Sequence, residues 1–211
     1  MSATNKTDHA LERLIFFSDA VFAIAITLLV LELHVPHLPK GSPDRLYWIE
    51  LAKLIPNFAG YFISFAVIGV FWMGHHRAFA LTAHYSQRVL GWNMGLLAVI
   101  AFMPFATAFF SQNLNQRVPS IVYCVTMLLA GLFNMAVIRV ATGRPMVDAQ
   151  ADPAMIRYVR GRSLAVVLGA VTAVGLAFFV PMFAQVGLAS IGLWRRFLAP
   201  RPAEARTQIS G

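Results

Sequence analysis

Residues Arg13 to Leu33 read RLIFFSDAVFAIAITLLVLEL, and this stretch decides the fold. From Ala20 to Leu31 the only polar residue is Thr27. An apolar run of this kind reads as a membrane-spanning helix, which needs about 20 residues to cross the hydrocarbon core. Asp19 and Glu32 bracket the run. The residues between them cover only about 18 Å as a helix, against a core of about 30 Å. At least one carboxylate therefore approaches the hydrocarbon, or protein shields the helix. A charge at the bilayer centre costs at least about 2.5 kcal/mol, so the helix is expected to face a bundle interior or a pore.

Five more apolar segments follow: about Leu51–Gly74, extending towards Thr82; about Val89–Phe110; Val118–Ile138; about Ser163–Val180; and the shorter Met182–Trp194. Pro181 separates the last two, since proline cannot continue the helical hydrogen-bond ladder. Phe197 and Leu198 would extend the last one past Arg195 and Arg196. Of the 211 residues, 58% are hydrophobic and 12% charged, and mean hydropathy is +0.66. Soluble domains carry about a quarter charged residues. The expectation is an all-α polytopic membrane protein of about six transmembrane helices. Residues 1–198 would form one transmembrane domain and 199–211 a polar, disordered cytoplasmic tail.

The net charge of +8 would suggest nucleic acid in a soluble protein. Here the basic residues lie between apolar runs, so they report topology. With six spans and the N-terminus inside, only Lys40, Arg45, Lys53 and Arg117 of the 17 Lys and Arg residues fall outside. The bias predicts both termini in the cytoplasm and, for a bacterial chain, the inner membrane. Pro36, Pro39, Gly41 and Pro43 mark an external loop, with Tyr47 and Trp48 at an interfacial belt. Arg139–Arg162 reads as a basic internal loop, whose Arg157, Arg160 and Arg162 suit anionic lipid headgroups. Cys124 is the sole cysteine, so neither an intrachain disulfide nor a cysteine metal site can form. No cleavable signal peptide is recognisable.

At about 100° per residue, Ile24, Thr27, Leu28 and Leu31 share one face of the first helix, and Phe17 and Ala20 extend it. Such apolar stripes usually pack against other helices; a pore-lining face would look the same. Asp19 lies about 140° from Ile24 and points towards neighbouring helices. Ser18 and Asp19 could cap an interfacial turn with Arg13 nearby, or join a buried polar network. The second span offers partners for the latter: its end reads Phe71-Trp72-Met73-Gly74-His75-His76-Arg77. Asp19 is expected to reach His75 or His76, with the Trp72 indole N–H also requiring an acceptor.

Arg13-Leu14-Ile15-Phe16-Phe17-Ser18-Asp19 matches an R-x-x-x-F-S-D signature opening a first transmembrane helix. With the run Ala20–Glu32 and the Trp72, His75, His76 cluster, it resembles the prokaryotic branch of the endosomal and lysosomal potassium channel family, the transmembrane-protein-175 type. The resemblance implies a potassium-permeable channel that lacks both a voltage sensor and a T-V-G-Y-G filter. It implies a homotetramer whose first helices line the pore, with Ile24, Thr27 and Leu31 facing the axis and potassium as the permeant ion, without a cofactor. An apolar ring can gate by dewetting, and a threonine hydroxyl can replace part of an ion's hydration shell. Arg13, Phe17, Ser18, Asp19, Trp72, His75 and His76 would then support the pore helix.

A secondary transporter would need a discontinuous helix and usually paired repeats; the signature occurs once. An intramembrane enzyme would need a motif such as H-E-x-x-H or G-x-S-x-G, and neither occurs, so an enzyme is not expected. A non-conducting scaffold stays open. His34 and His37 could meet a metal, but Pro36 lies between them, and no metal site is expected. Glu32 could gather cations at an outer entrance or simply be solvated.

Overall fold

The computed structural model describes residues 3–199, with side chains from His9 onward except Met182. Seven α-helices follow in order: α1 Ala3–Leu28, α2 Asp44–Lys53, α3 Ile55–Phe79, α4 Gln87–Gln112, α5 Arg117–Ala141, α6 Pro153–Phe179 and α7 Ala184–Leu198. Among the described residues there is no strand, only an isolated bridge between Thr82 and Val147. The protein is all-helical, and five stretches are long and apolar enough to cross a membrane: His9–Glu32 and the helices α3, α4, α5 and α6. The sixth segment, α7, has 15 residues and is preceded by a 3₁₀ turn, Pro181–Phe183. It is short for a full crossing. The tail from residue 200 lies outside the described residues.

Helical periodicity sets which faces meet. On α1 the buried side chains are Leu11, Leu14, Ser18, Phe22 and Ala25, and Leu29 of the following 3₁₀ turn continues the row, all spaced three or four apart. This stripe packs onto α4 and α3. On α3 the buried positions Gly60, Ser64, Ile68, Phe71, His75 and Phe79 repeat at the same interval. Polar side chains join α3 to α4 and α5: Ser64 Oγ lies 3.0 Å from Tyr123 Oη and 2.8 Å from Thr107 Oγ1, and Asn57 Nδ2 donates to Ser111 Oγ at 3.3 Å. Gly60 permits that approach, because a Cβ there would stand 3.0 Å from Ser111 Cβ.

The hairpin of α6 and α7 is closed by size. Gly169, Ala173 and Ala177 of α6 face Ala184, Gly187 and Ile191 of α7; a Cβ on Gly187 would stand 2.6 Å from Ala173 Cα. Small residues let helix backbones approach where lipid provides no hydrophobic drive.

Three boundaries differ from the sequence expectation. Helix α1 starts at Ala3, well before the apolar run, and ends in a 3₁₀ turn, Leu29–Glu32. The second apolar segment is divided: Leu54 separates α2 from α3, and no residue of α2 is buried. The basic loop is shorter, since α6 begins at Pro153, where Asp152 Oδ1 accepts from Ala154 N at 2.8 Å. Arg157, Arg160 and Arg162 therefore sit on a helix. Arg160 does not extend outward: its Nε donates to Thr142 Oγ1 at 2.9 Å and its Nη2 to the Thr142 carbonyl at 3.0 Å, capping the end of α5.

Candidate pore helix and its polar anchor

Two faces of α1 carry the chemistry. The inward one holds Ser18, which is fully buried and donates to the Leu14 carbonyl at 2.8 Å. Asn93 of α4 donates from Nδ2 to Ser18 Oγ at 2.8 Å, and its Oδ1 lies 2.9 Å from His75 Nε2. The three side chains form one relay across α1, α4 and α3 in which His75 Nε2–H donates to the amide oxygen. Phe22 and Phe79 enclose the imidazole, with ring centroids 5.6 and 4.4 Å from it. Inside a membrane a polar side chain without a partner is costly, so these bonds fix how α1 is rotated about its axis, while His75 Nδ1 stays buried without a partner.

Asp19 takes a different partner. Its Oδ1 accepts from Trp72 Nε1 at 2.8 Å. The expected pairing with His75 or His76 is thus replaced by the indole. The reason is helical register: Trp72 and His76, four residues apart, share the face of α3 towards Asp19 and stack at 5.7 Å. His75 is turned towards α4. Asn93 is the member that the sequence reading missed. A lone asparagine within the apolar segment Val89–Phe110 was the available signal, since buried amides demand partners. Arg13 is exposed and makes no hydrogen bond or ion pair with another described residue. It borders an open cavity of about 780 Å³ with Phe17 and Tyr85.

The outward face is apolar and unpartnered among the described residues. Ile24 is 57% exposed, Leu28 40% and Leu31 71%, and Phe17, Ala20 and Thr27 are exposed beside them. Thr27 Oγ1 donates to the Ile24 carbonyl at 2.8 Å. Its one proton is spent on the helix, so its oxygen lone pairs are available outward as an acceptor. Beyond the helix His34 Nδ1 lies 3.0 Å from the Glu32 carbonyl. Among the described residues no group of three or more His, Cys, Asp or Glu side chains could hold a metal.

Residues 13–104 match the family profile of the endosomal/lysosomal potassium channel TMEM175. A potassium channel of Streptomyces collinus is 36% identical over 187 residues, covering 84% of this chain and 85% of the relative. A potassium channel of Chamaesiphon minutus is 39% identical over 140 residues, 64% of this chain and 68% of the relative. The human endosomal/lysosomal proton channel TMEM175 is 35% identical over 136 residues, 59% of this chain but 27% of its own length. Among solved structures, the crystal structure of a lysosomal potassium-selective channel TMEM175 homolog from Chamaesiphon minutus superposes with a TM-score of 0.72. It is 28% identical and covers 90% of this chain and 96% of that one.

Proposed function

From the premise that this chain belongs to the endosomal/lysosomal potassium channel family, we propose that four copies assemble in the membrane with α1 of each lining the potassium path. The chain is a multi-pass membrane protein and a potassium channel, in a family of ion channels and not of enzymes. The observation that carries the reading of the pore is the outward face of α1. Ile24, Thr27, Leu28 and Leu31 form an apolar stripe with a single outward acceptor, left open by the other described residues. One copy cannot enclose an axis with one such face; a closed ring of copies can.

In that ring Ile24 and Leu31 supply apolar constrictions that pass ions only when wet, and Thr27 contributes oxygen ligands between them. The relay of Ser18, Asn93 and His75, with the Asp19–Trp72 bond, holds the stripe towards the axis. Both termini lie on the cytoplasmic side of the plasma membrane. Supporting this, Arg77, Arg162 and Arg195 occupy the same end of the bundle as Arg13 and Arg88.

Planar-bilayer recording of the purified full chain under a potassium/sodium gradient tests the proposal. A potassium-favouring current is expected, with selectivity reduced by Thr27→Ala and by Ile24→Asn. Absence of cation current, or selectivity untouched by both substitutions, rejects α1 as the ion path.

A further inference from the structure

Away from α1, three arginines converge. Arg77 near the end of α3, Arg162 in the first half of α6 and Arg195 near the end of α7 border one cleft, with Asn134 of α5. Among the described residues no carboxylate lines it. Arg77 Nη1 and Asn134 Oδ1 are buried there without a hydrogen-bond partner. Each such unpaired group is costly, so the cleft carries one unmet donor and one unmet acceptor. Arg162 is already oriented: its Nη1 donates to Tyr158 Oη at 3.1 Å, and its guanidinium carbon lies 5.6 Å from the centroid of that ring.

A second cleft adjoins the first, sharing Val70, Phe71, Val166, Ile191 and Arg195. It extends past Met127 and Ala170 as far as Ala66, and among the described residues Arg195 is its only charged one. Along α3, Arg77 to Ala66 corresponds to about 16 Å. A cationic head at the end of the bundle therefore opens into an apolar trough leading towards its middle.

We propose that this groove binds one anionic phospholipid, its phosphate held by Arg77, Arg162 and Arg195 and an acyl chain lying in the trough between α3 and the α6–α7 hairpin. Guanidinium forks match phosphate oxygens in geometry as well as charge. Charge complementarity selects an anionic headgroup over a zwitterionic one, because three arginines line the cleft and no described residue there offers a carboxylate for a choline or ethanolamine cation. Asn134 Oδ1 can accept from a hydroxyl on the headgroup, which favours a glycerol-bearing lipid. The trough requires an acyl chain, which a free phosphate cannot supply. The site is separate from the α1 stripe, so it stands or falls independently of how ions pass.

Native mass spectrometry of the delipidated full chain in neutral detergent provides the test, using phosphatidylglycerol and phosphatidylcholine with identical acyl chains. Phosphatidylglycerol should be retained at least about tenfold better. Arg77→Gln with Arg195→Gln should abolish the preference, whereas Arg157→Gln, exposed on α6 outside the groove, should keep it. If the double variant does not fold, Arg162→Gln alone should reduce the preference. Equal retention of the two lipids overturns the proposal, as does a preference unchanged in a folded arginine variant. Displacement of the lipid by inorganic phosphate with no dependence on acyl length would also overturn it, assigning the arginines to a free anion.

Discussion

Helix α1 and the α6–α7 hairpin are attached to the bundle in opposite ways. The hairpin is held by proximity: Gly187 against Ala173 and Gly169 against Ile191 leave no room for a larger side chain. Helix α1 is held by directed bonds, from Asn93 to Ser18 and from Trp72 to Asp19. In lipid neither contact can rely on apolar burial, because hydrocarbon is as apolar as leucine. Close packing of small residues sets a distance between helices. Hydrogen bonds set a rotation as well, and rotation decides which face of α1 remains outward. The difference shows where orientation matters more than mere adherence.

The largest effect should come from the packed side. Gly187→Leu drives a branched side chain into the α6 backbone and should cost about 3 kcal/mol. The expected result is a large drop in thermal midpoint in detergent, with proteolysis beginning near Pro181; a midpoint within error of the parent would show that the hairpin is looser than its geometry. Next is Asn93→Leu, which keeps the number of side-chain heavy atoms but strands a buried His75 donor and should cost about 2 kcal/mol. Because the relay fixes rotation, this variant should also alter cation selectivity while Gly187→Ala does not. A variant that loses stability and keeps selectivity would break the comparison.

Trp72→Phe removes one hydrogen bond to a partly exposed carboxylate and should cost about 1 kcal/mol. Asp19→Asn keeps an acceptor oxygen for the indole, and should show about half that loss, because the bond is no longer charge-assisted. The order of these two, read from thermal midpoints, separates the contribution of the bond from that of the charge. If Asp19→Asn proves worse than Trp72→Phe, the carboxylate serves something other than Trp72.

Much of this was legible because membrane helices advertise themselves. The lengths of the apolar runs gave the bundle, and a 100° projection gave the two faces of α1, since Ile24, Thr27, Leu28 and Leu31 depend only on helical pitch. What escaped was whatever depended on a neighbour. Asp19 had three candidate partners on α3, and the choice among them turned on the rotation of α3, which no projection of α1 contains. Asn93 was overlooked because hydropathy averages a single amide away. The start of α6 was overlooked likewise: Asp152-Pro153 is a strong helix-opening pair, but it lies in a polar stretch where apolarity was the signal sought. Arg160 was assigned to lipid because its charge was visible and its target, the end of α5, was not.

The ten residues of α2 carry one further implication. None is buried, Trp48 is 70% exposed, and the Glu50–Lys53 pair at 2.6 Å lies at the surface, where such bridges contribute little. A helix with so little hold on its own chain takes its position from its surroundings, and Trp48 and Tyr47 prefer the boundary between water and hydrocarbon. Since α2 connects α1 to α3, a change in bilayer thickness acts first on that connection. With no residue buried, α2 is the helix of the bundle that packing within the chain constrains least, and the membrane boundary is what its aromatic side chains are suited to hold.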